Sequence, residues 1–509
     1  MKSNKHLSFI GLIALTTLLS GCNFLNIFTS ESPSESEFVY SEESEYIPAN
    51  ANYYRDSYSK FTYGDLGQSN IYASRYQPAV GNVKLLVIPV VIKGFEPSSR
   101  GGLRSKIQKA FFGTSRDTGW ESVSSYFSKS SYGRCNITGE VTDWFEIGLT
   151  PKEIISKELL NAYDCGTTYV LNKAVEWAKN QGYNMKDYDL NKDGFIDAVW
   201  LVYSAPTNGK YYYSNRSVQE LMWAFTYWDY TNHDKGNLNK PVPNSYAWAS
   251  YDWIEDSSHI NIDAHTYIHE QGHVFGLEDY YDYDDLHTPF GGLDMQDYNI
   301  GDHNAYSKYA LGWLNPYYLT GECEIKIRSS ALSKDAIVVK NPNSNWNHHA
   351  YDEYLMIEYL TPEGNWALDS QTSIGSREFT TYSKPGVRIA HVDARLYDSS
   401  NNFAANIEKD DLYTHAYSNT PSSSVKKGTS LLREDLLALI PADNDLNYQK
   451  KFQNPATDSV LFKEGMSFTM EKYSSFFRNN KLHDGTTIPY EITVKEMTDD
   501  YAIISFELL

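Results

Sequence analysis

Apolar and polar positions follow two different patterns along this chain, and the change between them falls near residue 320. Before that point, strand patterns occur at 84–94 (KLLVIPVVIKG), 136–144 and 198–203 (AVWLVY), and the first and last of these are almost continuously apolar. Helical patterns alternate with the strands. They lie around 103–112, 120–127, 153–180, 262–276 and 306–312. Region 53–320 is therefore predicted to be a mixed domain of helices and strands.

Beyond residue 320 the pattern changes to short alternating runs that are separated by turn residues. These runs lie at 324–328, 336–339, 354–359, 387–392, 436–440, 492–495 and 501–508. Short strands in such a series are typical of an antiparallel β domain, often a sandwich. The sequence therefore predicts an α+β protein whose C-terminal domain, at 321–509, is an antiparallel β-sandwich.

The N-terminal residues have the features of a secretion signal. Lys2 and Lys5 precede an apolar run from Leu7 to Leu19, which is short for a membrane span and typical of a signal peptide. The sequence Leu19-Ser20-Gly21-Cys22 resembles a bacterial lipobox, in which cleavage before the cysteine leaves Cys22 carrying acyl chains. An ordinary signal with an incidental cysteine is the alternative. We predict a signal peptide at 1–21 and a lipid anchor at Cys22, on the extracellular face of a bacterial membrane.

The composition adds three further expectations. Residues 22–52 are rich in Ser and Glu and predict a disordered tether, with an acidic interaction tail as the alternative. The formal net charge of −21 argues against nucleic acid as a partner, because phosphate binding needs a basic surface. Of Cys135, Cys165 and Cys323, at most two can join in one disulfide, and the sequence does not say which.

The segment at 269–279, HEQGHVFGLED, contains the most specific candidate metal-binding and catalytic residues of the sequence. His269 and His273 are four apart, so a helix places both imidazoles on one face, where they can bind one metal ion. Asp279 would lie roughly 9 Å further along a continuous helix, so its use as a third ligand requires the chain to turn back. Gly276 permits that turn. A helix with two surface histidines is the alternative.

Glu270 stands beside the predicted metal site. In this arrangement a bound zinc ion acidifies a water molecule, and the glutamate removes its proton to give a nucleophile near neutral pH. The sequence therefore predicts a zinc site formed by His269, His273 and Asp279, with Glu270 as the catalytic base.

The chain resembles the immune inhibitor A family of secreted bacterial metallopeptidases over roughly residues 80 to 505. The resemblance is carried by the zinc motif, by LLVIPVVIKGF, SVSSYFSKSSYGRCNITGEV, DLNKDGFIDAVWLVY and SKYALGW, and more weakly by EYLMIEYL and PGVRIAHVD. It implies a metzincin-like catalytic domain with a methionine turn beneath the metal, and Met295 stands at the matching place. The family usually has a histidine in the segment LMWAFTYW, where this chain has Phe225.

Tyr298 follows Met295 by three residues. In related metzincins a tyrosine near this turn hydrogen-bonds the tetrahedral intermediate, so the resemblance implies a catalytic role for Tyr298, although the spacing differs from the usual one.

A second possible metal site lies in DLNKDGFID, at 189–197. Asp189, Asn191, Asp193 and Asp197 place oxygen ligands as in the first nine positions of a calcium loop. Trp200 occupies the twelfth position, where an EF-hand has glutamate, so a calcium ion here would need carboxylates from elsewhere. A turn rich in Asp and Asn before the next strand is the alternative.

Other acidic and imidazole groups adjoin the zinc motif. His265 lies one turn before His269 and is expected to pack or to support the metal ligands, not to bind the metal. Asp282, Asp284 and Asp285 could compete for the third ligand position, but Asp279 has the expected offset.

These observations together predict a lipid-anchored extracellular zinc endopeptidase that acts on proteins or peptides. Two alternatives stay open. One is a surface adhesin or binding module on a protease-like fold, which would have no need of Glu270. The other is a zinc peptidase that is directed at glycoproteins and takes its third ligand from a distant glutamate. The oligomeric state and the substrate are not encoded in any motif that we recognise.

Overall fold

The motif at 269–279 and most of both predicted regions fall within the part of the chain that the computed structural model describes. That part comprises residues 47–66, 76–157, 166–232, 234–255, 260–284, 288–373, 379–398, 400, 402–403, 407, 413–424, 434–445 and 455–509. The predicted signal peptide, the lipid anchor at Cys22, most of the predicted tether, Cys165 and Asp285 lie outside it.

Helices and strands alternate in the first region and strands predominate in the second. The α-helices of the described residues are α1 (Arg100–Phe112), α2 (Ser115–Thr118), α3 (Val123–Ser130), α4 (Pro151–Ile155), α5 (Gly166–Asn180), α6 (Arg216–Leu221), α7 (His265–Val274), α8 (Met295–Tyr298) and α9 (Ala305–Ala310). The strands up to residue 250 are β1 (Tyr53–Arg55), β2 (Gly81–Val91), β3 (Cys135–Val141), β4 (Phe145–Glu146), β5 (Phe195–Ile196), β6 (Val199–Tyr203), β7 (Phe225–Trp228), β8 (Val242–Pro243) and β9 (Ser245–Ser250). The later strands are β10 (Tyr317–Leu319), β11 (Cys323–Arg328), β12 (Ile337–Val339), β13 (Glu353–Leu360), β14 (Gly386–Asp393), β15 (Leu396–Tyr397), β16 (Thr414–His415), β17 (Leu437–Ile440), β18 (Ser467–Phe468), β19 (Tyr490–Met497) and β20 (Tyr501–Leu508).

The sheet of the first region has the strand order β3-β2-β6-β9-β7, with β4 also paired to β2. Its pairs are parallel except for β7 with β9. Both faces are covered, because alternate residues of β2 enter different cores: Leu85 and Val87 pack in one, Leu86 and Ile88 in the other. This double burial explains why the strand reads as a continuous apolar run. The helix with the zinc motif, α7, packs in the first of these cores.

Two further sheets are formed mainly by strands beyond residue 320. One has the order β1-β10-β12-β13-β14-β17, and the other has the order β11-β20-β19-β18. Ile357 of the first and Ile504 of the second belong to one shared core, whereas Met356 faces the core that surrounds α7. The sheet that contains β13 therefore lies between the two cores and contributes side chains to both. The protein is a mixed α/β protein with several sheets, as far as the described residues show.

The N-terminal end of the first region, with the residues just before it, also belongs to this arrangement. β1 pairs antiparallel with β10, and Arg55 forms an ion pair with Asp335 at 2.6 Å. Ile47 packs against the core that the two later sheets share. The last residues of the predicted tether, from 47 to 52, are thus in contact with folded structure, and Tyr40–Leu509 form one compact unit.

Two other predictions concern cysteines and membranes. Cys135 and Cys323 both carry free thiols, so the structure joins neither of them in a disulfide. Within the described residues, every helix is too short or too polar to span a bilayer.

Candidate metal centre and cleft

Helix α7 brings the two histidines of the motif together. Their Nε2 atoms lie 3.0 Å apart, one turn from each other on the face that points into a cleft. The side of the helix away from the cleft is buried: Ile268 and Val274 are fully buried in the core, and Gln271 accepts a hydrogen bond from Trp200 Nε1 at 2.8 Å. This packing fixes which way the imidazoles point.

The chain then turns back and brings Asp279 to the histidines. Gly276 has a φ of +109°, a conformation that side chains with a Cβ rarely adopt, and the Leu277 N–H donates to the Gly272 carbonyl at 3.0 Å. As a result, Asp279 Oδ1 lies 3.0 Å from His269 Nε2 and 3.2 Å from His273 Nε2. The structure thus brings together all three of the ligands that the sequence predicted.

Several features of this group fit a zinc ion. Four ligands at 2.0–2.1 Å from zinc are about 3.3 Å from one another, close to the separations of the three atoms here. Both outer imidazole nitrogens are oriented by backbone carbonyls: His269 Nδ1 is 2.8 Å from Met295 O, and His273 Nδ1 is 2.7 Å from Leu277 O. Such contacts leave Nε2 available to a metal. Asp279 Oδ1 is buried and is directed at the two imidazole Nε2 atoms.

The electrostatics of the three groups also favour a cation. Burial lowers the pKa of His273, but Asp279 outweighs it and raises the pKa to about 10. Burial raises the pKa of Asp279, but His273 and the hydrogen bonds with both histidines bring it well below the usual range. The site therefore stabilises positive charge between these groups, which a divalent cation supplies.

Glu270 lies in the same cleft and is buried. Burial is the main reason that its pKa is raised above the ordinary value, while the two histidines oppose the rise. Thr226 of β7 donates a hydrogen bond to Glu270 Oε2 at 3.3 Å and lies 3.0 Å from its backbone carbonyl. Glu270 is thus a carboxylate in a dry environment beside a metal site, which suits a general base.

Met295 and Gln296 of α8 contact helix α7. Besides the Met295 carbonyl, Gln296 approaches the helix so closely that a Cβ on Gly272 would lie 2.1 Å from its Oε1 atom. Gln296 in turn accepts from His303 at 3.2 Å, and His303 contacts the Tyr126 hydroxyl at 3.0 Å. A polar chain of buried groups therefore continues from the helix into the core.

The loop that carries Asp279 is held by residues from the second region. Asn419 Nδ2 donates to the Tyr280 carbonyl at 2.9 Å and to the Leu437 carbonyl at 2.9 Å. The Tyr283 N–H donates to Thr420 Oγ1 at 2.8 Å. The position of the third ligand thus depends on both halves of the chain.

The tyrosines near the site differ in their placement. Tyr281 and Tyr283 line the cleft, and the hydroxyls of both hydrogen-bond Asp279. Tyr298 is not among the residues that line the cleft, and its hydroxyl lies 3.5 Å from Thr288 Oγ1. The structure therefore does not bring Tyr298 together with the metal ligands.

His265 does not belong to the metal-ligand group either. It is buried between Asp263 and Asp369, at 2.7 and 3.1 Å, and stacks on Trp120 with ring centroids 3.9 Å apart. Of the acidic residues beyond the motif, Asp284 hydrogen-bonds Ser422 and so points away from the histidines. Asp279 is the only carboxylate in the metal-ligand group that the described residues form at this place.

The predicted calcium loop is closed by its own backbone. The N–H groups of Asp193 and Gly194 donate to Asp189 at 3.0 and 3.1 Å, and that of Leu190 donates to Asp197 at 2.7 Å. Within the described chain, the groups of potential metal ligands do not include these carboxylates. Calcium binding by Asp189, Asn191, Asp193 and Asp197 stays a prediction.

A second group of potential ligands, Glu353, Asp393 and His483, lies where β13 begins and β14 ends. Its carboxylates already have cationic or imidazole partners: Arg395 pairs with both oxygens of Asp393, at 2.7 and 2.8 Å, and His391 lies 3.1 Å from Glu353. Nδ1 of His391 and Nε2 of His483 lack hydrogen-bond partners among the described residues. The Nδ1 atoms of His269 and His273, in contrast, contact backbone carbonyls. This group is better explained as a buried ion network than as a metal site.

Sequence motifs gave no indication of Thr226, Gln296, Tyr281, Tyr283 or Asn419. Tyr281 and Tyr283 follow Asp279 so closely that their position could have suggested them. The others contact the site through tertiary packing.

Searches against protein-family models and against curated proteins found no match for this chain. The candidate function therefore rests on the geometry of the site.

Gly276 gives a first test of this geometry. A Cβ at this position would lie 2.5 Å from Tyr63 Cβ, in addition to the unfavourable φ. We expect Gly276→Ala to lower the free energy of unfolding by about 3 kcal/mol, measured by urea denaturation. Gly485→Ala is the matched control, because Gly485 has a φ of +87° but open space around it. It should cost about 1 kcal/mol, and equal losses would contradict the packing argument.

His303 gives a second test, through pH. Burial lowers its pKa to about 3 from an ordinary value of 6.5, so it stays neutral in the folded protein while the unfolded chain takes up a proton below pH 6.5. Stability from this group is therefore lost as the pH falls. Between pH 7.5 and 5.5, the wild type should lose about 1.4 kcal/mol more of its free energy of unfolding than His303→Asn does. Identical pH dependence in the two proteins would refute this assignment.

Proposed function

We propose that this protein is a zinc-dependent endopeptidase. The observation that carries the proposal is the convergence of His269 Nε2, His273 Nε2 and the buried Asp279 Oδ1 within 3.0–3.2 Å of one another, in an open cleft next to the buried Glu270. These three residues would hold the zinc ion. An adhesin would gain nothing from a buried carboxylate at this place, so the arrangement supports catalysis over simple binding.

The zinc ion and the side chains of the protein would perform different parts of the reaction. When bound, zinc acts as a Lewis acid that polarises the scissile carbonyl and raises the acidity of water. Glu270 takes the proton of the attacking water and then delivers it to the leaving amine, because its carboxylate is buried and held by Thr226. The raised pKa of Glu270 suits this exchange, since the group must both accept and release a proton near neutral pH.

A tyrosine hydroxyl is a suitable donor to the oxygen on which charge develops during hydrolysis. The positions of Tyr281 and Tyr283, on the cleft wall beside Asp279, favour this pair over Tyr298 for such a role.

The cleft accommodates an extended chain. It has a volume of about 460 Å³ and is lined along one side by β7, the last strand in its sheet among the described residues. An edge strand offers backbone groups to which a peptide can add as a further strand. We infer that the substrate is an extended segment of a protein or peptide.

The remaining parts of the proposal concern fold and location. A parallel sheet with an antiparallel edge strand, an active-site helix and a methionine turn supports a metzincin-like catalytic region, and the core shared by two β-sheets supports a sandwich-like second region. Attachment to the extracellular face of a bacterial membrane through Cys22 follows from the lipobox.

The test of the function uses the purified chain from residue 23 onward. Mass spectrometry should find one zinc per chain, and casein or a mixture of proteome-derived peptides should be cleaved internally. Removal of zinc with a chelator should abolish cleavage, and stoichiometric zinc should restore it. A protein that retains one zinc but cleaves none of these substrates would contradict the proposal.

A further inference from the structure

The aromatic side chains of the cleft form two pairs that β7 separates. Trp223, just before the strand, meets Trp253 edge to face with ring centroids 5.4 Å apart. Trp228, the last residue of the strand, meets Tyr76 with centroids 6.3 Å apart. Trp223 lies before the first residue of β7 and Trp228 is its last residue, so the two pairs lie at opposite ends of the strand. Thr226, which contacts Glu270, lies between them.

Trp223 combines an exposed side chain with a fixed backbone. The side chain is 47% exposed, although tryptophan is usually well buried. Three successive carbonyls hold the chain here: Leu221 O accepts from Trp248 Nε1 at 2.8 Å, Met222 O from the Asn208 N–H at 2.8 Å, and Trp223 O from the Tyr203 hydroxyl at 3.2 Å. The indole is therefore presented to the cleft by a backbone that cannot easily withdraw it.

The partner of Trp223 is held in a similar way. Trp253 follows Asp252, whose carboxylate accepts from the Thr207 N–H at 3.0 Å and whose carbonyl accepts from Lys210 at 2.7 Å. Two rings in edge-to-face contact at 88° form an apolar corner on the wall of the cleft. A flat or bulky apolar side chain packs into such a corner and covers the exposed indole face.

The two tryptophans line the same cleft as the candidate metal ligands His269, His273 and Asp279. A substrate that binds along this cleft therefore passes both the candidate metal centre and the corner formed by Trp223 and Trp253.

We propose that Trp223 and Trp253 form a specificity subsite that accepts a bulky apolar side chain of the substrate, with aromatic side chains preferred. This inference rests on the proposed peptidase function. It concerns the Trp223 pair and not the Trp228 pair, because Trp228 is only partly exposed and contacts both Tyr76 and Tyr227.

The first experiment compares cleavage of peptide pairs that differ only by Phe or Ala at one position near the cleaved bond. The wild type should show a kcat/KM for the Phe peptide at least about 10-fold above that for the Ala peptide. In Trp223→Ala and Trp253→Ala this ratio should fall towards one, while Trp223→Phe should keep most of it. Tyr212→Ala is the control, because Tyr212 is an aromatic residue exposed by 83% that does not line the cleft. A wild-type ratio of one at every position, or an unchanged ratio in Trp223→Ala, would overturn the subsite.

The second experiment separates the subsite from the peptidase function. Zinc-loaded Glu270→Gln, with and without Trp223→Ala, is titrated with the same capped Phe and Ala peptides, and binding is measured by calorimetry. The subsite predicts at least about 10-fold tighter binding of the Phe peptide, lost in the double variant. If the wild type cleaves nothing but this difference in binding is found, the peptidase proposal fails and the subsite stands. If cleavage occurs and the binding difference is missing, the subsite fails and the peptidase proposal stands.

Discussion

Replacing Glu270 with glutamine is expected to lower kcat/KM for peptide hydrolysis by at least about 1,000-fold while the protein keeps its zinc. The amide has nearly the same shape, so the contact with Thr226 and the packing of α7 persist. It cannot accept the proton of the attacking water. Because Glu270 is not among the metal-ligand group, its loss should leave the zinc stoichiometry at one per chain.

Glu278→Gln is the matched control for this experiment. Glu278 also lines the cleft, but its side chain is 38% exposed and faces His415 at 3.6 Å. Its replacement should change kcat/KM by less than about threefold. Substantial proteolysis by Glu270→Gln, or an equal loss in Glu278→Gln, would reject Glu270 as the base.

Replacing Asp279 with alanine is expected to weaken zinc binding by at least about 100-fold, measured by competition with a chromophoric chelator. Asp279 supplies one of the three atoms that converge on the site, and its negative charge is the main cause of the raised pKa of His273. Without it, two neutral imidazoles would hold the ion alone.

Asp284→Ala is the control for this second change, because Asp284 lies in the same loop but hydrogen-bonds Ser422. It should bind zinc as the wild type does. Wild-type affinity in Asp279→Ala would support the alternative in which a distant glutamate is the third ligand. In that case Asp279 would not be a zinc ligand, although His269 and His273 would keep their proposed roles as ligands.

Several strands and the turn after α7 could be predicted from the sequence, because each depends on residues that are close together along the chain. The apolar runs that became β2 and β6 were predicted within three residues of their bounds, since burial on both faces leaves a continuous apolar signature. The offset of Gly276 and Asp279 from the histidines indicated the turn that brings Asp279 to them, and metal binding by Asp279 stays a prediction. β7 and β9 were not predicted, because their aromatic, Ser and Ala residues show no regular alternation of apolar and polar positions.

Contacts between distant parts of the chain explain what the sequence could not predict. Thr226 is 44 residues from Glu270, and Asn419 is 139 residues from Tyr280. Neither contact leaves a local motif, because each depends on which strands and loops become neighbours. The order of the strands, which places β7 beside the cleft, is set by the same non-local pairing.

The hydrogen bonds of Asn419 and Thr420 to the Asp279 loop have a consequence for how this molecule could be divided. A fragment that stopped near residue 320 would keep His269, Glu270, His273 and Asp279, yet it would lose the residues that hold the Asp279 loop. Such a fragment is expected to bind zinc more weakly than the whole chain. The proposed function is therefore expected to require both halves of the chain together.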